Sequence, residues 1–445
     1  MESSWCSIAW LSVSLAIALF LLLSWTKVLK RSSTKQRPPG PTGWPVIGNM
    51  FDLGTMPHQN LYMQAQIQIW TSTLVKAWII KHHGYTITKG SCRILQEQRL
   101  NFLRPKMPDA LTSWKYNQGS LAVGNYGTYW RILRRLCSSE LLVNKRINGT
   151  AALREKCVNN MIRWIEEDSL ASRACGGSGE VQISRFLFLM AFNVVGNLML
   201  SRDLLEPHSE KGHEFFDAMS KIMELAGKPN VADFLPFLKW MDPMGIKRNS
   251  DRHMGQAMKI AAEFVTERVQ KKHSGDGNEG PDKISERNVT IIILEMFFGR
   301  SETTSSTIEW AMVELLRSPD SMKKVKQEIN SIIGLHGKVE EKNMGELLYL
   351  HAVVKETLRL HPAIPFLVPR NAMKDSSYMG YQIPKNTQVL VNAWAIGRDT
   401  ESWDDPLSFK PEKFLGKNIE YKGQHFQFIP FGSRRRICVG FALAE

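Results

Sequence analysis

The stretch that decides the fold is Phe431-Gly-Ser-Arg-Arg-Arg-Ile-Cys-Val-Gly-Phe-Ala-Leu-Ala-Glu445, which closes the chain. Cys438 stands between a Gly/Arg-rich loop and a segment with the composition of a helix start. A loop of this kind can turn backbone N–H groups toward a sulfur, and Arg436 adds positive charge and a fork for a carboxylate. A buried thiolate so placed is a candidate fifth ligand to heme iron. The competing reading of the loop alone is a buried apolar cysteine in basic surroundings.

The rest of the chain narrows the choice. Its 445 residues suffice for one large or two ordinary domains, and 43% hydrophobic content permits a sizeable core. Lysine and arginine number 57 against 43 acidic residues, a net charge of +14. Such an excess serves nucleic acid, anionic lipid or an acidic protein partner. No nucleic-acid motif accompanies it, so a membrane surface and an acidic partner are favoured. The six cysteines are scattered, without CxxC spacing, which fits a reducing compartment.

Residues Ser3 to Thr26 carry no charge, and Ile8 to Trp25 is nearly all apolar. That length crosses a bilayer as one helix. Lys27, Lys30, Arg31, Lys35 and Arg37 follow at once, which places the remainder on the cytosolic side. A cleaved signal peptide ranks lower, because the basic cluster follows the apolar run. Pro38-Pro-Gly-Pro41 then forms a stiff hinge. The expected division is an anchor at 1–27, a basic and Pro-rich hinge at 28–60, and a catalytic body at 61–445.

Within the body, Ile69 to Trp78 has strand character, and His82-His83 lacks a third ligand, so it reads as loop. Trp130 and Arg134 share a helix face at i,i+4. Helical runs follow at about 150–167, 184–199, 213–225 and 256–272. Val289 to Leu316 is the longest, closed by Pro319. It holds Gly299-Arg-Ser-Glu-Thr-Thr-Ser-Ser306, a polar cluster inside an apolar helix. Hydroxyls there can bond back to the preceding turn and loosen it, so a kink over a reaction site is expected; a polar face reaching solvent is the alternative. Lys342 to His361 reads as one helix, with Glu356 and Arg359 at i,i+3. Short strands follow through Val389-Leu-Val391.

In combination, the proline hinge, Trp130-xxx-Arg134, Glu302-Thr303, Glu356-xx-Arg359, Pro411-Glu-Lys-Phe414 and Phe431…Cys438-x-Gly440 resemble the cytochrome P450 family, specifically its plant microsomal type. The wording of the body is similar to hydroxylases of terpenoids and related small hydrophobic molecules. The resemblance implies a mainly α fold with a small β region behind a transmembrane helix, in the endoplasmic reticulum membrane with the catalytic domain cytosolic. It implies heme b ligated by Cys438. Trp130, Arg134, Arg370 and Arg436 are its expected propionate partners, and Glu302 and Thr303 its expected proton relay. Glu356 and Arg359 pin the fold. Substrate lies against Asn117, Leu294, Phe298, Ile364 and Phe366. The implied chemistry is monooxygenation with O2, fed by NADPH-cytochrome P450 reductase docking near Arg131, Arg135 and Arg435. The alternative is an inactive relic or a non-enzymatic heme-binding membrane protein.

The sequence departs from the family's pattern at several places. Arg434 stands where the Cys loop has Gly, Arg300 where the long helix has Gly, and Lys413 where the coil has Arg. Residues 68–98 do not match the early strands and second helix; the wording of Ile69 to Ile79 fits a segment read one nucleotide out of frame, recovering by about Asn101. The family's C-terminal strands are expected to be missing after Glu445. As written, the chain is expected to show little of the red-shifted band that reports thiolate-bound heme.

Overall fold

The fold comes from a computed structural model, which describes residues 56–59, 77–80, 84–87, 108–207, 209–272, 286–334, 337–378 and 381–441. The apolar segment 1–27, the hinge apart from 56–59, His82, His83 and most of 68–98 lie outside them. The chain divides into two compact units. One gathers Met1–Leu103 with Pro369–Asn392; the other gathers Arg104–Val368 with Ala393–Glu445.

The first unit holds the sheets. Strands β1 (Ala77–Ile80), β2 (Gly84–Ile87), β3 (Arg370–Asn371) and β6 (Gln388–Val391) form one sheet in the order β1-β2-β6-β3. The β2–β6 pair is parallel, and the β1–β2 and β3–β6 pairs are antiparallel. Strands β4 (Ser376–Tyr378) and β5 (Tyr381–Ile383) form a separate antiparallel pair. In β6, Val389 and Val391 are buried while Gln388 and Leu390 are half-exposed, the period of two that a one-sided sheet imposes. Asn386 turns the chain into β6 with φ +63°, a left-handed conformation that Asn tolerates. Of the strand expected at 69–78, Ala77 and Trp78 lie in β1, and 69–76 lie outside the described residues.

The second unit is helical. Its principal helices are α1 (Thr128–Leu136), α2 (Ala151–Ala174), α3 (Ile183–Leu200), α4 (Glu210–Gly227), α5 (Ile246–Lys272), α6 (Glu286–Arg317), α7 (Pro319–Ile333) and α8 (Leu348–Leu360). The apolar opening of α6 lies against α3 in the core. Phe297 stacks on Phe192 at 4.2 Å, and Phe215 meets Phe192 edge-on at 5.0 Å. Offset and edge-on pairs of this kind suit the ring quadrupole. Helix α3 is apolar and long enough to cross a membrane, but its side chains are buried inside the fold, as a core helix requires. Asn193 on α3 is buried and partnered at both ends of its amide: it donates to Leu205 O (2.8 Å) and accepts from the N–H groups of Leu204 and Leu205.

Three sequence expectations change. Helix α5 starts at Ile246 rather than near Gln256. The Asp242 carboxylate accepts the N–H groups of Lys247 (3.2 Å) and Arg248 (3.0 Å), so its capping outweighs a polar run that hides the period. The run Lys342–His361 is broken: Glu341–Glu346 is a 3-10 turn closed by a Glu340/Asn343 capping box, and α8 begins only at Leu348. Helix α6 continues unbroken through its polar cluster. The hydroxyls of Thr303 and Thr307 donate to the carbonyls of Gly299 (2.7 Å) and Thr303 (2.8 Å), so they are satisfied within the helix.

Candidate heme-thiolate site

The cysteine loop folds back on itself. Cys438 donates its N–H to Phe431 O at 2.9 Å, and Ile437 donates to Arg434 O at 3.1 Å. Gly432 takes φ +75°, and so close is Gly423 to the loop that a Cβ there would stand 2.9 Å from the Gly432 carbonyl. Glycine is what lets the two segments touch. Past the turn, Gly440 donates its N–H toward the Cys438 sulfur at 3.4 Å.

Arg434 has φ +61°. The position therefore demands the left-handed region that the family's glycine supplies, at a cost of about 1–2 kcal/mol for any other L-residue. The Arg434 guanidinium is 5.7 Å from the Phe426 ring, a weak cation–π contact at an exposed site.

Helix α1 brings a tryptophan and an arginine to this loop. Arg436 lies 4.3 Å over the Trp130 ring and Arg134 lies 5.8 Å from it. Two carbonyls of the 120–124 loop bind them: Trp130 Nε1 donates to Leu121 O (2.8 Å), and Arg436 donates to Leu121 O (3.0 Å) and Gly124 O (2.8 Å). Burial pulls the Arg134 guanidinium below its usual range, and the negative charge of Cys438 acts against that pull. Trp130, Arg134, Arg436 and Cys438 thus form one cluster. Arg370 belongs to the other unit, at the head of β3, where burial brings its guanidinium down to about 10.

Across from the loop stands a polar face of α6. Gly299 is exposed, and a Cβ there would meet nothing within 4 Å. Beside it, half-buried Arg300 reaches to Gly440 O at 3.3 Å; a Cβ on Gly440 would come within 2.7 Å of its Nη2. Burial lowers the Arg300 guanidinium to about 10, opposed by the charge of Cys438. Glu302 and Thr303 are half-buried, and burial raises the Glu302 carboxyl above its usual range.

The expected substrate residues fall into two groups. Leu294 is fully buried and Phe298 nearly so, in the same apolar core as Phe297, with Tyr116 edge-on to Phe298 at 6.3 Å. Asn117 and Phe366 are half-buried and Ile364 is exposed. The turn after Ile364 is fixed by Leu367, at φ +51°, whose N–H returns to Ile364 O at 3.0 Å.

One residue of consequence has no sequence motif. Glu295 on α6 is buried, and its carboxylate accepts from Ser120 Oγ (2.6 Å), Leu121 N–H (2.6 Å) and Ala122 N–H (2.8 Å). It fixes the loop whose carbonyls hold Trp130 and Arg436. The signal available was a lone acid in an apolar run, which is costly to bury unless bonded.

Behind the site, Glu356 and Arg359 are fully buried. Arg359 grips the carboxylate with two N–H groups, at 2.6 and 2.7 Å, and donates to the carbonyls of Gly397, Pro406 (2.7 Å) and Ser408 (3.2 Å). Lys413 approaches the same carboxylate at 3.2 Å and donates to Asp405 O and Ser408 O. It supplies charge to Glu356 through one nitrogen, without a second fork.

Comparison with known proteins agrees with this arrangement. The family model described as cytochrome P450 matches residues 38–445. An "Iridoid oxidase" of Catharanthus roseus is 52% identical, over 98% of this chain and 87% of that one. A "Geraniol 8-hydroxylase" of the same plant is 36% identical, over 97% and 88%. A solved zebra fish cytochrome P450 with progesterone superposes with a TM-score of 0.65 at 25% identity, over 87% of this chain and 89% of that one. Sequence, fold and cysteine loop agree, and the chain belongs to the cytochrome P450 monooxygenase family.

Proposed function

We propose that this chain inserts one oxygen atom from O2 into a small hydrophobic substrate through heme held by Cys438. The reaction is RH + O2 + NADPH + H+ giving ROH + NADP+ + H2O. The observation that carries it is the cysteine loop, where the Gly440 N–H donates toward the Cys438 sulfur with the cationic groups of Arg134 and Arg436 gathered at Trp130 beside it.

Heme with cysteine-thiolate ligation is the family's cofactor, and the donor set fits it: one thiol, one N–H aimed at its sulfur, and a cluster of guanidinium and indole donors. Cys438 would hold the iron, while the Gly440 N–H and the nearby guanidinium groups steady the thiolate charge. Trp130, Arg134 and Arg436 would hold the propionates, exchanging the carbonyls of Leu121 and Gly124 for carboxylate oxygens, which bind guanidinium more strongly. Bound heme supplies the activation of O2.

Glu302 keeps its proton to a higher pH than a free carboxyl because burial penalises the anion. It can hand that proton toward Thr303, whose hydroxyl already donates to Gly299 O and so presents its lone pairs to the open space beside Gly299. Asn117, Ile364 and Phe366 would orient the substrate; Leu294 and Phe298 support that wall from within the core. The names of the two plant relatives support a terpenoid-like substrate. Electrons would arrive from NADPH-cytochrome P450 reductase, steered to the exposed Arg131, Arg135 and Arg435. The apolar segment 1–27 would anchor the protein to the endoplasmic reticulum membrane.

A second reading, a chain poor in heme and in turnover, draws on the Arg300 contact with Gly440 and the left-handed Arg434. Co-expression with a plant NADPH-cytochrome P450 reductase tests the first against the second. NADPH-dependent hydroxylation of monoterpenoid alcohols supports the monooxygenase; a folded chain that takes up little heme and consumes no NADPH with any of them argues for the second.

A further inference from the structure

Glu295 turns its carboxylate out of the apolar run of α6 onto the 120–124 loop. Oε1 accepts from Ser120 Oγ (2.6 Å) and Ala122 N–H (2.8 Å), and Oε2 accepts from Leu121 N–H (2.6 Å). The Tyr116 hydroxyl bonds the same group. Burial raises the carboxyl above its usual range, and these four donors oppose that by favouring the anion.

The peptide between Leu121 and Ala122 links this carboxylate to the Cys438 side. The Ala122 N–H and the Leu121 C=O belong to one trans peptide plane and point in opposite directions across it. A carboxylate fixed on the N–H therefore sets the direction of the carbonyl. That carbonyl accepts from Trp130 Nε1 (2.8 Å) and from Arg436 (3.0 Å). The second carbonyl on Arg436, Gly124 O (2.8 Å), is tied to the same turn. Ser120 accepts the Val123 N–H on its hydroxyl and the Gly124 N–H on its carbonyl, each at 3.0 Å. The turn leaves no slack: a Cβ on Gly124 would stand 2.1 Å from the Ser120 carbonyl oxygen. Just before it, a Cβ on Gly119 would come within 2.9 Å of Asn288 Oδ1 and 3.0 Å of Ile291, so the segment is pressed onto α6.

We infer that Glu295 is a positioning residue for heme: it aims the Leu121 carbonyl, and through that carbonyl it places the Trp130 indole and the Arg436 guanidinium for the propionates. The inference deepens the monooxygenase reading and rests on it. Donors already in place exchange a carbonyl for a carboxylate oxygen without first being ordered, which is what preorganisation contributes to binding.

Heme loss from the full, hemin-loaded chain to an excess of a heme-scavenging protein, followed by absorbance, tests it as a double-mutant cycle. Gln at position 295 keeps the shape but has one acceptor oxygen, so its amide group faces a backbone N–H. Glu295→Gln is expected to speed heme loss about tenfold. Arg436→Ala is expected to speed it about tenfold in the wild type but only about twofold in Glu295→Gln, where Arg436 is no longer held in place. A residue that merely stabilises the fold leaves the Arg436 effect the same in both backgrounds. That result, or unchanged heme loss in Glu295→Gln, overturns the inference. Should Glu295→Gln not fold, Ser120→Ala carries the same cycle, since it removes one of the bonds to Glu295. The Arg436 effect is then expected to fall to about fourfold, and an undiminished effect overturns the inference equally. The reduced, CO-bound spectrum of the same samples separates the two ideas. A hemin-loaded wild type without the red-shifted band counts against the monooxygenase reading, whereas an additive cycle on protein that shows the band counts against Glu295 alone.

Discussion

Replacing Glu356 with Gln removes the buried carboxylate that two cations address. Arg359 and Lys413 both address its carboxylate, at 2.6 to 3.2 Å, and the side chains of Glu356 and Arg359 have no exposure. Removing one member of such a group costs about 3–5 kcal/mol, because what remains is an uncompensated buried charge. Lys413 then changes sign. In the wild type, Lys413→Met removes contacts to Glu356, Asp405 O and Ser408 O, and should destabilise by about 1–2 kcal/mol. In the Glu356→Gln background the same change removes a surplus cation, and should restore about 1–2 kcal/mol. Urea midpoints of the helical circular-dichroism signal, at unchanged slope, read both numbers. If Lys413→Met destabilises equally in both backgrounds, the three residues do not act as one charge cluster and the reasoning fails.

Other positions give further tests. At Arg434, Gly should be more stable than Ala by about 1 kcal/mol, because only Gly relieves φ +61°; equal midpoints would deny the strain. His361 stacks on Trp310 at 3.8 Å and contacts Glu314 at 2.7 Å, and burial holds its ring below the usual range. Its folded value is depressed, so its contribution is present above about pH 6.5 and lost as pH falls through the folded value; the wild-type advantage over His361→Gln should shrink from about pH 7.5 to 5. Thr303→Val should leave heme content unchanged and lower product formed per NADPH on the order of a hundredfold; unchanged coupling would remove Thr303 from the proton path.

Much of the second unit was legible in the sequence because its helices are long uninterrupted apolar or amphipathic runs, nearly continuous in α3 and at the opening of α6. The motifs around Cys438, Glu356 and Trp130 also stand out, since each sets an uncommon residue type at a fixed spacing. What escaped depends on groups distant in the chain. Nothing near residue 256 announces that Asp242 caps α5 ten residues earlier. Glu295 reads as an oddity in an apolar run until Ser120, Leu121 and Ala122 are seen to bond it. Leu294 and Phe298 read as a pocket wall by position, and their packing in the core with Phe297 could not be read there. The strain at Arg434 was readable as a question, a side chain where a glycine belongs; its φ answers it.

The central claim is that Cys438, among the chain's six cysteines, holds the heme iron. The direct test is the reduced, CO-bound difference spectrum of the full chain reconstituted with hemin, beside Cys438→Ala prepared in the same way. The account predicts the far-red-shifted Soret band of thiolate-bound heme in the wild type, small in amplitude as Arg300 and Arg434 lead one to expect, and its complete loss in Cys438→Ala. A folded, hemin-loaded wild type without that band, or an unchanged band in Cys438→Ala, would contradict it.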